Sequence, residues 1–232
     1  PTDAVAALNA PQPMAPQVGR ARRAPHRSRL ITRMLAADAP GAWSVVERAL
    51  ASGTSPRRVE LELIVPSLRD IGDGWARGEI SIGQEHTATA VASRLIGRLG
   101  PLLTRRGPTR GAVVLAGAPG ERHTLCMVML ADLLRADGWQ VVELGGDTPV
   151  RELAAAVRTV DRLAAVAICV GSDETRAEAT ESAAAVRAAN DSVAVLIGGP
   201  GITDEDVARS LGADGFGRDA DEVNAVLDLL TR

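Results

Sequence analysis

Glu121 and His123 stand two residues apart in the loop Gly117-Ala118-Pro119-Gly120-Glu121-Arg122-His123. A carboxylate hydrogen-bonded to an imidazole fixes the ring's tautomer and raises its basicity, which is how proteins support a histidine that ligates a metal. The spacing alone equally suits a solvated loop histidine. Downstream, Ser172 follows Gly171, and Gly198-Gly199-Pro200-Gly201 offers backbone without side chains, where a ligand can approach closely. Turn chemistry by itself also explains each of these. Upstream, Trp75 is followed after nine residues by Glu85-His86. The plain reading there is a ring that closes a helical unit and a Glu-His pair that opens a helix.

The elements that position these residues follow from hydrophobic period. Short apolar runs at 112–116, 140–144, 163–170, 193–197 and 213–217 alternate with helical stretches. Five strands alternating with helices predict an α/β, doubly wound parallel sheet of flavodoxin-like or Rossmann-like type. Right-handed crossovers put helices on both faces, and ligands bind beyond the carboxyl ends of the strands. The Glu121-His123 loop follows the first strand, Gly145-Gly146-Asp147-Thr148-Pro149 ends the second, Ser172 follows the third, and Gly198-Gly199 ends the fourth. One sheet edge thus collects all four.

Residues 29–105 read instead as four amphipathic helices, an antiparallel four-helix-bundle cap. Their apolar positions are Leu30, Met34 and Leu35; Trp43, Val46 and Leu50; Val59, Leu63 and Ile71; and Val91, Leu95 and Leu99. Pro66 is expected to kink the third helix. Residues 1–28, rich in Pro and then in Arg, read as a disordered arm ahead of the cap. The sheet domain spans 111–232.

Composition narrows the classes. Apolar residues are 46% and charged residues 24%, ordinary for a globular chain, while aromatics are only 2%. The core is therefore built from Ala, Val, Leu and Ile. A net charge of -3 supplies no basic field for nucleic acid. Cys126 and Cys169 sit in apolar runs and read as reduced core thiols of a cytoplasmic protein. No run approaches the roughly 20 apolar residues that span a bilayer, and no signal-peptide pattern opens the chain.

The loop set resembles the cobalamin-binding domain of methionine synthase and its relatives. That family carries Asp-x-His-x-x-Gly, a Ser about forty-five residues on, and Gly-Gly about twenty-six further. This chain has Glu121-x-His123-x-x-Cys126, Ser172 and Gly198-Gly199. The resemblance implies that His123 ligates cobalt from below with Glu121 behind it, and that Arg122 belongs to the cofactor contacts. It further implies that Ser172 meets the displaced dimethylbenzimidazole and that Gly198-Gly199 flank the nucleotide tail. Glu121 departs from Asp, Cys126 from Gly, and Glu174 from the Leu expected two residues after the Ser.

The helical cap, with Trp75-x9-Glu85-His86, resembles that of the CarH-type photoreceptors. The resemblance implies adenosylcobalamin, with Trp75, Glu85 and His86 around the adenosyl group through stacking and hydroxyl hydrogen bonds. It implies a non-enzymatic light sensor: light breaks the cobalt–carbon bond, the cap shifts, and a homo-oligomer (dimer or tetramer) signals to a downstream protein. Ala76 stands where relatives place a second histidine for the light state. A MerR-type domain precedes the cap in that family and only the Arg-rich arm does here, so direct DNA binding is not expected. The chain also resembles the photocobilins, which pair cobalamin with biliverdin, although no motif specifies a bilin site. The rival reading is a corrinoid methyl carrier of a methyltransferase system, against which a bulky Trp-Glu-His lid argues. Further rivals are a cobalamin-sensing regulator without photochemistry and, more remotely, a mutase small subunit, for which no substrate barrel is present.

Overall fold

A computed structural model of the chain describes residues 18–231. These divide into two compact units, a helical one ending at Thr104 and an α/β one beginning at Arg105.

The helical unit opens with α1 (Val18–Leu35), which buries Leu30 and Met34 completely. Residues 18–28, expected to belong to a disordered arm, are helical, and residues 1–17 lie outside the described residues. Arg27 accounts for part of this order. Its Nη2 donates to the Pro66 carbonyl (2.9 Å) and pairs with Asp70, so α1 is held by residues far along the chain. α2 (Ala39–Ala51) starts at Asp38, whose carboxylate accepts from Gly41 N (2.8 Å), and buries Ala42, Val45, Val46 and Ala49 at helical spacing. Trp43 on this helix lies under the Arg98 guanidinium, 3.7 Å from its ring centroid.

α3 (Pro56–Val59) runs through a π-helical turn (Glu60–Ile64) into α4 (Val65–Ala76). The wide turn is where the effect of Pro66 appears. Proline has no N–H to return to the carbonyl four residues back. One residue earlier, Val65 N reaches back five residues to the Glu60 carbonyl, so the strain is taken up as a π turn. α5 (Ile82–Leu103) begins with a capping box in which Ser81 and Gln84 satisfy each other's backbone N–H groups. It buries Ala88, Val91, Ala92, Leu95, Ile96, Leu99 and Leu103, the stripe its periodicity predicts.

The α/β unit contains β1 (Ala112–Gly117), α6 (Leu125–Ala136), β2 (Gln140–Gly145), α7 (Val150–Thr159) and β3 (Leu163–Cys169). A 3-10 turn (Asp173–Thr175) then leads to α8 (Arg176–Ala189), β4 (Ala194–Gly198), α9 (Glu205–Ser210) and α10 (Ala220–Leu230). The four strands form one parallel sheet in the order β2-β1-β3-β4. Every residue of β1 is buried, as expected of a strand covered on both faces. Val114, Ala116, Val166 and Ile168 face one core, and Val113, Leu115, Ala165 and Ala167 face the other. Among the described residues no helix is long and apolar enough to cross a membrane.

The expected fifth strand at 213–217 is replaced by a single bridge between Leu196 and Gly215. The Asp214 carboxylate accepts from Val195 N (2.8 Å), occupying a donor that a ladder would use. Gly215 is pressed against α10, since a Cβ there would lie 2.4 Å from Val226 Cγ1. A strand residue with a side chain has no room, and the chain turns toward α10 after one pairing.

Candidate functional site

β1 lies between β2 and β3, and the chain leaves it first toward β2 and later returns on the opposite side to β3. Such a reversal opens a crevice at the carboxyl ends of the strands. The loop after β1 enters this crevice, and Glu121 organises it.

Glu121 is 3% exposed and accepts three hydrogen bonds. His123 N and His123 Nδ1 both reach Oε1 at 2.7 Å, and Gly171 N, from the loop after β3, donates to Oε2. Burial opposes the charge, yet these donors and the imidazole together hold the Glu121 carboxyl below its ordinary range. Gly171 has to be glycine, because a Cβ would sit 2.3 Å from Glu121 Oε2. The loop after β2 is fastened to the same segment. Asp147 N donates to the Glu121 carbonyl (2.7 Å), and the Asp147 carboxylate accepts from Gly120 N (2.7 Å). Glu121 therefore holds three strand-end loops in one register.

The imidazole itself is 81% exposed. With Nδ1 donating to a carboxylate, the lone pair belongs to Nε2. That nitrogen is the one a metal would meet. Arg122 is exposed beside it. Cys126, expected in the core, is an exposed residue on the first turn of α6, and its Sγ donates to the His123 carbonyl at 3.4 Å. Desolvation of the sulfur and the Glu121 charge push this thiol up, so it is not poised as a nucleophile. Cys169 is partly buried at the end of β3, and both cysteines are free.

Ser172 is exposed after β3. The glycines after β4 have an internal reason for lacking side chains. At Gly199, φ is +115° and a Cβ would lie 2.4 Å from the Val170 carbonyl oxygen, so the loops after β3 and β4 touch backbone to backbone. Gly199→Ala is expected to destabilise the chain by about 2 kcal/mol or more, through strain and overpacking. A lower urea midpoint at unchanged slope is the measurement.

The remaining candidates belong to the helical unit. Trp75, near the end of α4, is 49% exposed. Glu85, in the first turn of α5, accepts from Thr89 Oγ1 at 2.8 Å. His86 Nε2 is 3.7 Å from Glu85 Oε2, and the His86 side chain is 71% exposed. Sequence reasoning did not single out Asp147 or Gly171 as functional. Asp147 had a signal in its turn, whereas Gly171 acquires its role only through a contact across the crevice.

A B12 binding domain model matches residues 27–99, and a second B12 binding domain model matches residues 111–227. The chain belongs to the B12-binding domain family. It is a cobalamin-binding chain, and the proteins it is similar to include corrinoid proteins and a transcriptional repressor. Trimethylamine corrinoid protein 1 of Methanosarcina acetivorans is 24% identical over 189 residues, covering 78% of this B12-binding chain and 86% of that protein. The HTH-type transcriptional repressor CarH of Myxococcus xanthus is 33% identical over 140 residues, covering 57% of this chain and 45% of that repressor. In structure, the monomethylamine corrinoid protein of Methanosarcina barkeri superposes with a TM-score of 0.79 at 18% identity, covering 89% of this chain and 99% of that one, a likeness of fold.

The residues present fit a corrinoid. Among the described residues no cluster of three or more His, Cys, Asp or Glu is arranged to hold a bare metal ion. A single supported imidazole suits a metal that arrives with its other ligands in a macrocycle, as cobalt does in a corrin.

Proposed function

We propose that this chain is a corrinoid carrier that holds cobalamin through His123 Nε2 and serves a methyltransferase system. The observation that carries the reading is the exposed His123 ring locked through Nδ1 to the buried Glu121. The match across 86% of a trimethylamine corrinoid protein supports carrier over sensor. When bound, the cobalt supplies a centre that accepts and gives up a methyl group. The chain's own contribution is binding and orientation. Glu121 keeps the ring in one tautomer, Ser172 and the Gly198-Gly199 turn receive the nucleotide tail, and Arg122 lies beside the ligating loop. The expected partner is a methyl-donating or methyl-accepting enzyme.

A second reading is a light sensor loaded with adenosylcobalamin. It is favoured by the half-exposed Trp75 and by the Glu85-His86 pair on the same helical unit, since a Trp face and a carboxylate suit an adenosyl group through stacking and hydroxyl hydrogen bonds. The similarity to CarH at 33% identity supports it over the matched stretch. Ala76 offers no imidazole to replace a lost upper ligand.

Illumination separates the two. The chain is loaded with adenosylcobalamin, and its absorbance and elution volume are recorded before and after green light. A carrier is expected to keep its elution volume after complete photolysis and to bind methyl- and adenosylcobalamin within about threefold of each other, under 1 kcal/mol. A changed elution volume, with adenosyl preference lost in Trp75→Ala, reverses the order of the two readings. A red-absorbing band in the purified protein would reveal a bilin.

A further inference from the structure

We propose that Arg176 is a positioning residue that sets the spacing between the loops after β3 and β4 and so selects corrinoids that carry a nucleotide tail. The proposal rests on the reading that Ser172, Gly198 and Gly199 receive that tail.

The two loops are tied at their base by backbone. Val170 N donates to the Gly198 carbonyl (2.8 Å), and Gly201 N donates to the Val170 carbonyl (2.9 Å). Beyond these bonds the chain diverges, into the 3-10 turn Asp173–Thr175 on one side and toward α9 on the other. Arg176 closes the outer end. Its Nε and Nη2 both donate to the Gly201 carbonyl oxygen, at 2.8 and 2.5 Å. Asp173 Oδ1 lies 3.7 Å from Nη2. The guanidinium therefore joins both loops.

Its place in the chain is otherwise unfavourable. Arg176 is the first residue of α8, where the helix dipole is positive and a cation is opposed. A side chain serving only solubility gains nothing from this position. The planar fork explains it, because Arg presents several fixed donors to one acceptor whereas Lys presents a point charge. With Gly201 held, the Gly198-Gly199 turn keeps its distance from Ser172. Without that bond, the two backbone ties and the packing of Gly201 against the Ser172 backbone remain, and the spacing of the loops rests on them alone.

Binding of hydroxocobalamin and of diaquocobinamide, which has the same corrin without the nucleotide tail, tests this by absorbance titration. Arg176→Ala is expected to weaken cobalamin about tenfold, the scale of one charge-assisted hydrogen bond, and to leave cobinamide within about twofold. Arg176→Lys retains the charge and stem, keeps the chain folded, and is expected to show a smaller loss in the same direction. A general loss of structure would weaken both corrinoids equally, and that result, or full discrimination in both variants, overturns the role of Arg176 alone. Equal affinity of the unaltered chain for the two corrinoids overturns the tail reading itself and Arg176 with it.

Discussion

Replacing His123 with alanine is expected to leave a folded chain that no longer shifts the spectrum of added cobalamin to the base-off, histidine-bound form. The expectation has two independent parts. The ring is 81% exposed, so its loss removes little packing. Its bond to Glu121 disappears, but the His123 backbone N–H, which alanine retains, still reaches Oε1. The stability change is therefore expected to stay within about 1 kcal/mol, the net worth of one intramolecular hydrogen bond. Binding behaves oppositely, because alanine has no Nε2 lone pair to offer a metal. Spectral titration together with urea denaturation of the apo chain reads both parts. A histidine-bound spectrum in His123→Ala would remove the ligand assignment from this residue.

Glu121→Ala is expected to do the reverse and damage the fold as well as the site. The carboxylate is 3% exposed and accepts from Gly171 N, His123 N and His123 Nδ1. Truncation leaves backbone donors without an acceptor, each costing about 1–3 kcal/mol, so a loss of about 3 kcal/mol is expected. The imidazole also loses its orientation, and supporting carboxylates of this kind typically contribute about 10- to 100-fold to metal affinity. Glu121→Gln retains one carbonyl acceptor and turns an NH2 toward the remaining donors. It should therefore give a smaller stability loss with a comparable binding loss. Unchanged apo stability in Glu121→Ala would mean that the Gly171 bond contributes nothing to holding the loops.

These two residues also mark how far the sequence could be read. Strand positions followed from apolar runs, because a strand buried on both faces, such as Ala112–Gly117, has few polar side chains. α5 followed from its apolar stripe and from the Ser81 cap. The run at 213–217 misled because a short apolar segment has the same composition whether it pairs along its length or once. Only the contact of Gly215 with Val226 distinguishes them. The helical start at Val18 was hidden for a similar reason. Its composition is that of an arm, and Arg27 is secured by Pro66 and Asp70, 39 and 43 residues away. The π turn before Pro66 left no trace in hydrophobic period, although proline announced a disturbance.

What the sequence alone determined was the chemistry of one loop. A carboxylate two residues before a histidine lies within reach of that residue's own N–H and ring, so covalent spacing nearly suffices to form the pair. The tertiary structure decided what surrounds the pair: Gly171 closing on Glu121 from 50 residues away, Asp147 on Gly120 from 27, and Arg176 on Gly201 from 25. Gly171 and Arg176 have no local signature, and the turn signal at Asp147 does not name its partner. The pairs meet because a parallel sheet brings its carboxyl ends to one edge, where side chains of one loop reach the backbone groups of another.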